Sequence, residues 1–108
     1  MKTLPEQFTS KGFIHRQLKR AGNLAIFERF QSDAAKCHYE VVKIQSHNGR
    51  TIAGNFIPAA EFYPSTSQWG TNGFTYSESG SGSREAALHM AEERFESMSQ
   101  PKEDVQKA

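Results

Sequence analysis

Ser83-Arg84-Glu85-Ala86-Ala87-Leu88-His89-Met90-Ala91-Glu92-Glu93-Arg94-Phe95-Glu96-Ser97-Met98-Ser99 is the stretch on which the fold turns. Leu88, Ala91, Phe95 and Met98 recur at spacings of three, four and three, so a helix gathers them into one apolar stripe. Ser83 suits the N-cap, and Glu85 stands where the helix dipole favours an acid. Glu92, Glu93 and Glu96 fall mostly off the stripe. The spacing therefore predicts a helix over 84–99. A stripe of this kind must be buried, and the rest of the chain offers only a β-sheet to receive it.

Upstream, the patterning is that of strands and turns. Gly12 opens a first strand, Phe13 to Arg20, with Ile14, Arg16 and Leu18 on one face and Phe13, His15, Gln17 and Lys19 on the other. Ala21-Gly22-Asn23 is a turn signal, and Leu24 to Phe30 returns as a second strand. After a polar connection over 31–36, His38-Tyr39-Glu40-Val41-Val42-Lys43-Ile44-Gln45 is the clearest strand, rich in β-branched and aromatic types. Asn48-Gly49 reads as a hairpin turn, followed by a strand over 51–57 that Pro58 ends. Gly54 within it hints at a bulge or a close backbone approach. Ser65-Thr66-Ser67-Gln68 fits a capping box and predicts one helical turn over 65–69. Gly73-Phe74-Thr75-Tyr76 is a short last strand. Ser77 to Ser83 is flexible by composition.

The expected fold is α+β: an antiparallel sheet of four to five strands built from hairpins, with one C-terminal helix packed on one face. The far face is left to solvent or a partner. The domain spans 12–99, between an N-terminal arm at 1–11 and a frayed tail at 100–108.

A length of 108 residues suits one such domain. Hydrophobic residues make up only 36%, but the 11% that are aromatic argue for a core and against disorder. No run approaches the ~20 apolar residues that cross a bilayer, and the first residues carry no secretory pattern. Cys37 is the only cysteine, so no intrachain disulfide forms and a reducing cytoplasm is expected. Residues 1–54 hold nine Lys and Arg against four acids. Residues 55–108 hold four against eight, so the first half is basic and the second acidic.

Each candidate for chemistry has a plainer reading beside it. Cys37 and His38 are neighbours, but strand neighbours point to opposite faces and cannot share a proton. His15, His38, His47 and His89 are scattered without metal-ligand spacing. Gly80-Ser81-Gly82-Ser83-Arg84 leads into a helix N-terminus, where Ser83 and Arg84 could hold an anion, although P-loop spacing is absent. Lys11, His15, Arg16, Lys19 and Arg20 with Phe13 form a basic, partly aromatic strand of the kind that meets nucleic acid. Tyr63, Trp69, Phe74 and Tyr76 are either a second small core under a loop or the lining of a recognition surface.

The runs His38 to Ile44, Ile52-Ala53-Gly54, Ala60-Glu61-Phe62-Tyr63-Pro64-Ser65 and Trp69-Gly70-x-x-Gly73-Phe74-Thr75-Tyr76 resemble small uncharacterised proteins of bacteriophages and prophages, over about the middle half of the chain. The resemblance implies no activity. It implies a setting in which short accessory proteins act by binding host machinery. The expectation is thus a non-enzymatic binding protein, with no catalytic residues, cofactor, metal or membrane contact, that engages another macromolecule. The expected partner is a protein. Arg16, Lys19, Arg20, Tyr63, Trp69 and Tyr76 are the candidate contact residues. Nucleic acid bound through Arg16, Lys19 and Arg20 is the first alternative. A small molecule or nucleotide held by the Ser/Gly loop and the aromatic cluster is the second. An uncovered edge strand could also pair two copies into a homodimer.

Overall fold

In the computed structural model, which describes residues 2–32 and 36–99, five strands form one antiparallel sheet in the order β1-β2-β3-β4-β9. They are β1 (Gln7–Ser10), β2 (Phe13–Ala21), β3 (Leu24–Phe30), β4 (Cys37–Lys43) and β9 (Gly73–Ser77). Between β4 and β9 the chain makes an excursion through β5 (Gln45–His47), β6 (Arg50–Ile52), β7 (Asn55–Ile57), β8 (Ala60–Phe62) and a 3-10 turn at Thr66–Gln68. A single helical turn, α1 (Glu78–Ser81), then leads into the long helix α2 (Arg84–Ser99). The expected α+β fold, with its C-terminal helix on the sheet, is what forms.

The helix buries its stripe as the spacing requires. Ala87, Ala91 and Phe95 pack with Leu24, Ile26, Cys37, Tyr39 and Val41, while Leu88 and Met98 flank the contact. Two fully buried alanines let the helix backbone lie close to the strands, and Phe95 supplies the large apolar body. Ser83 caps the helix as expected, its Oγ accepting from Ala86 N at 3.0 Å.

The opposite face is not open, which corrects the sequence reading. Ala25, Phe27, Val42 and Ile44 form a second core there, covered by Leu4, Phe8, Tyr63 and Trp69. The reason is visible in β3 and β4. Leu24-Ala25-Ile26-Phe27 are buried in succession, as are Val41 and Val42. Continuous apolar runs are the mark of strands covered on both faces, whereas a half-exposed strand alternates.

Five local expectations are revised as well. Residues 7–10 of the expected arm form β1, paired with β2 at the sheet edge. Asn48-Gly49 does not make the hairpin turn: β5 pairs with β8, and β6 pairs with β7. The tight turn is Ala53-Gly54, with φ of 52° and 81°, so Gly54 is a turn residue and not a bulge within a strand. The Ser/Gly stretch is ordered into α1, because the Ser77 hydroxyl accepts from Gly80 N at 3.0 Å and caps the turn. The helical turn near Ser65 is present, but Ser65 makes no side-chain cap and meets Ser67 Oγ instead. Residues 100–108 lie outside the described residues.

A β-bulge at Leu18 reassigns the faces of β2. Gln17 pairs with Phe27 and Lys19 with Ile26, so one residue is skipped. Lys19 therefore joins Arg16 on the helix face, and Arg20 turns to the other side.

Candidate binding cleft

Antiparallel register aligns polar residues across the face opposite the helix. Gln17, Phe27, Glu40 and Thr75 form one row through β2, β3, β4 and β9, and His15, Arg29, His38 and Ser77 form the next. The chain from Pro58 to Asn72 folds over these rows and brings Tyr63 and Trp69 down onto them. Glu40 is the centre. It is only 3% exposed, an unusual place for a carboxylate unless its oxygens are occupied.

They are occupied. Tyr63 donates its hydroxyl to Glu40 Oε1 at 2.7 Å, and Thr75 donates to Oε2 at 3.3 Å. Arg29 Nε stands 3.2 Å from Oε2, and His15 Nε2 lies 3.9 Å from Oε1. Trp69 completes the chain by donating its indole N–H to Thr75 Oγ1 at 2.8 Å. Phe8 stacks flat on His15 at 4.7 Å, and Tyr63 meets Phe8, His15 and Phe27 edge-on. Gly73 is required beneath Trp69, since a Cβ there would stand 2.6 Å from the indole ring.

Between the Trp69 loop and the β1–β2 turn this leaves a cleft of about 430 Å³. Phe8, Phe13, Tyr63 and Trp69 line it as walls. Glu40, Arg29, His15 and Thr75 supply polar atoms, and Lys11 sits on the turn at its edge. Burial lowers the affinity of His15 for a proton, partly opposed by the Glu40 charge. Burial pushes the Tyr63 phenol upward, reinforced by the same carboxylate, so Tyr63 stays a donor.

The sequence candidates are divided between the two faces. Tyr63 and Trp69 enter the cleft. Tyr76 is on the helix face, its hydroxyl accepting from Arg94 Nε at 3.0 Å. Arg16 is ion-paired with Glu28, and Lys19 lies over the Phe95 ring at 4.7 Å and 3.7 Å from Glu96. Arg20 grips Glu61 through two hydrogen bonds of 3.0 and 2.7 Å. That grip, with the Leu4 N–H, holds the Glu61 carboxyl at about 2. The basic strand thus does not present three cations to one surface. Ser83 is spent on its cap, and Arg84 meets Glu78 Oε2 at 3.4 Å. Cys37 is buried on the helix face, its thiol pushed up to about 11 chiefly by burial.

Glu40, Arg29, Thr75 and Phe8 were not among the residues singled out from sequence as contacts. Glu40 did carry a signal: a lone acid between Tyr39 and Val41-Val42 in the clearest strand of the sequence. Among the described residues no group of three or more His, Cys, Asp or Glu is placed to hold a metal, and no helix is long and apolar enough to cross a membrane. No protein-family model, curated protein or solved structure matches the chain.

Proposed function

We propose that the domain is a non-catalytic binding module that takes a small, flat, ring-bearing ligand in the cleft beneath Trp69. One observation carries the reading: aromatic walls converge over a polar floor whose central carboxylate, Glu40, is already held by Tyr63 and Thr75, in a space of about 430 Å³. Small-molecule sites typically span roughly 300–1,000 Å³, mostly apolar with a few placed polar groups. The floor favours recognition over reaction. Glu40 is committed to Tyr63 and Thr75, and among the described residues no nucleophile is hydrogen-bonded to a free base. A lone buried thiol fits a cytoplasmic setting.

Trp69 is the only tryptophan, so its fluorescence reports on the cleft directly. A panel of ring compounds should give saturable changes in that signal with matching rises in melting temperature, since a ligand of the native state alone stabilises it. If no ring compound at millimolar concentration moves either readout, the reading fails.

A protein partner is the second reading, in keeping with the resemblance to phage accessory proteins. Its support is the β6–β7 hairpin, where Ile52 is 47% and Phe56 68% exposed. Replacing both by Ser should leave the fold intact and abolish co-purification with a host protein. Nucleic acid has less support, because Arg16, Lys19 and Arg20 are each matched to a carboxylate and do not share a face.

A further inference from the structure

We infer that the ligand is an aromatic monoanion, a planar ring bearing one carboxylate, with the ring inside against Tyr63 and Trp69 and the carboxylate toward Arg29 and Lys11. The inference rests on the cleft being a binding site and concerns what it selects.

Charge is the first argument. The cleft lining holds two permanent cations, Lys11 and Arg29, and one carboxylate, Glu40. His15 is disposed to stay neutral by its burial. One positive charge is left over, which a carboxylate balances. A phosphate monoester carries about −1.5 to −2 and overshoots it.

Geometry is the second. Arg29 lies near Glu40, but its buried Nε makes no aligned hydrogen bond, and the guanidinium donates none to another described residue. Its side chain is 26% exposed, and its Cζ rests 4.6 Å over the Phe13 ring. A guanidinium that rests on a ring and makes no hydrogen bond of its own has donors to offer, and their fork matches a carboxylate. Lys11 is two residues from Phe13. The turn holds it at φ 53° ahead of Gly12 at φ 83°, and it forms no ion pair among the described residues.

Direction is the third. Glu40 would repel an anion driven to the floor, whereas the walls there are aromatic. The ring therefore goes in and the charge stays at the mouth.

The test is calorimetry with matched pairs at neutral pH: indole-3-carboxylate against indole-3-carboxamide, and benzoate against benzamide, with a nucleoside monophosphate as a third arm. The acid should bind about tenfold more tightly than its amide, the scale of a charge-assisted hydrogen bond. Lys11→Gln, a change confined to an exposed side chain, should weaken the acid about threefold and leave the amide unchanged. Arg29→Lys should narrow the acid–amide gap further, because a point charge replaces the fork. If acids and amides bind alike, the charge inference is overturned while ring binding stands. If the nucleotide binds more tightly than either acid, a monoanion is the wrong class. If no ring compound binds at all, the cleft reading falls and this inference with it.

Discussion

The two faces of the sheet are built by different chemistry from the same strands. On the helix side Leu24, Ile26, Tyr39 and Val41 meet Ala87, Ala91 and Phe95, an apolar contact made by one regular element. On the loop side Phe27 and Val42 share the surface with buried Glu40 and His15, covered by an irregular segment and the N-terminal strand. Apolar burial needs only rough shape to be favourable, and hydrogen bonds to a buried carboxylate need each donor in place. The helix face is therefore suited to hold the molecule together. The loop face, whose pieces come from all five strands of the sheet and the 58–72 segment, is suited to discriminate.

That contrast makes measurable predictions. Phe95→Ala should cost the most, about 3–5 kcal/mol for emptying a buried aromatic site, as read by chemical denaturation. A loss below about 1 kcal/mol would mean that the helix is not what anchors the sheet. Tyr63→Phe should cost about 1.5–3 kcal/mol by stripping Glu40 of a short donor while keeping the ring. Its effect on Trp69 fluorescence should exceed that of Phe95→Ala measured under native conditions. Gly73→Ala should cost about 1–3 kcal/mol through overpacking against the indole, and should blunt ring-ligand binding where a helix-face change of equal cost does not.

The acid response divides the faces as well. Glu61, on the loop side, is held at about 2 against an ordinary 4.5, so its stabilisation is complete above 4.5 and is lost as pH falls toward 2. His15 is lowered from 6.5, so the unfolded chain takes its proton first, and stability begins to fall once pH drops below 6.5. Glu78, lowered by the Cys37 N–H, is the helix-side contributor to the acid limb. Glu61→Gln should flatten the limb between pH 4.5 and 2, and His15→Phe should flatten its onset near 6.5. A pH–stability curve unchanged in both variants would break the proposed division. At the other end, Cys37 at about 11 and Tyr39 at about 12 are raised by burial, so stability should decline as pH climbs past their ordinary 9.0 and 10.0. The smallest stability change belongs to Lys11→Gln, within about 0.5 kcal/mol as expected of an exposed turn residue.

Much of the helix face was legible from residue order. The stripe of Leu88, Ala91, Phe95 and Met98 and the Ser83 cap are local patterns, and α2 has the predicted bounds. The Gly22-Asn23 turn likewise joins β2 to β3 as read. The candidate site was legible only in part. Tyr63 and Trp69 were named, and a small core under their loop was one of the two readings offered. Tyr76 was grouped with them, yet alternation along β9 turns Thr75 toward Glu40 and sends Tyr76 to the opposite face. The bulge at Leu18 parted Arg20 from Arg16 and brought Lys19 to the Arg16 face, and nothing in Gln17-Leu18-Lys19 announces it. Asn48-Gly49 misled because the turn preference of a dipeptide yields to how the flanking strands pair, and here they pair elsewhere.

Periodicity and capping act over a few residues, so the order of amino acids was enough for the helix, the central strands and the need for a sheet to receive the stripe. Glu40 meeting Tyr63, Thr75, Arg29 and His15 depends on contacts spanning 11 to 35 positions. Those meetings follow from strand order, register and one skipped residue. They arise only when the whole chain closes, because a buried charge and its donors are stable together and costly apart.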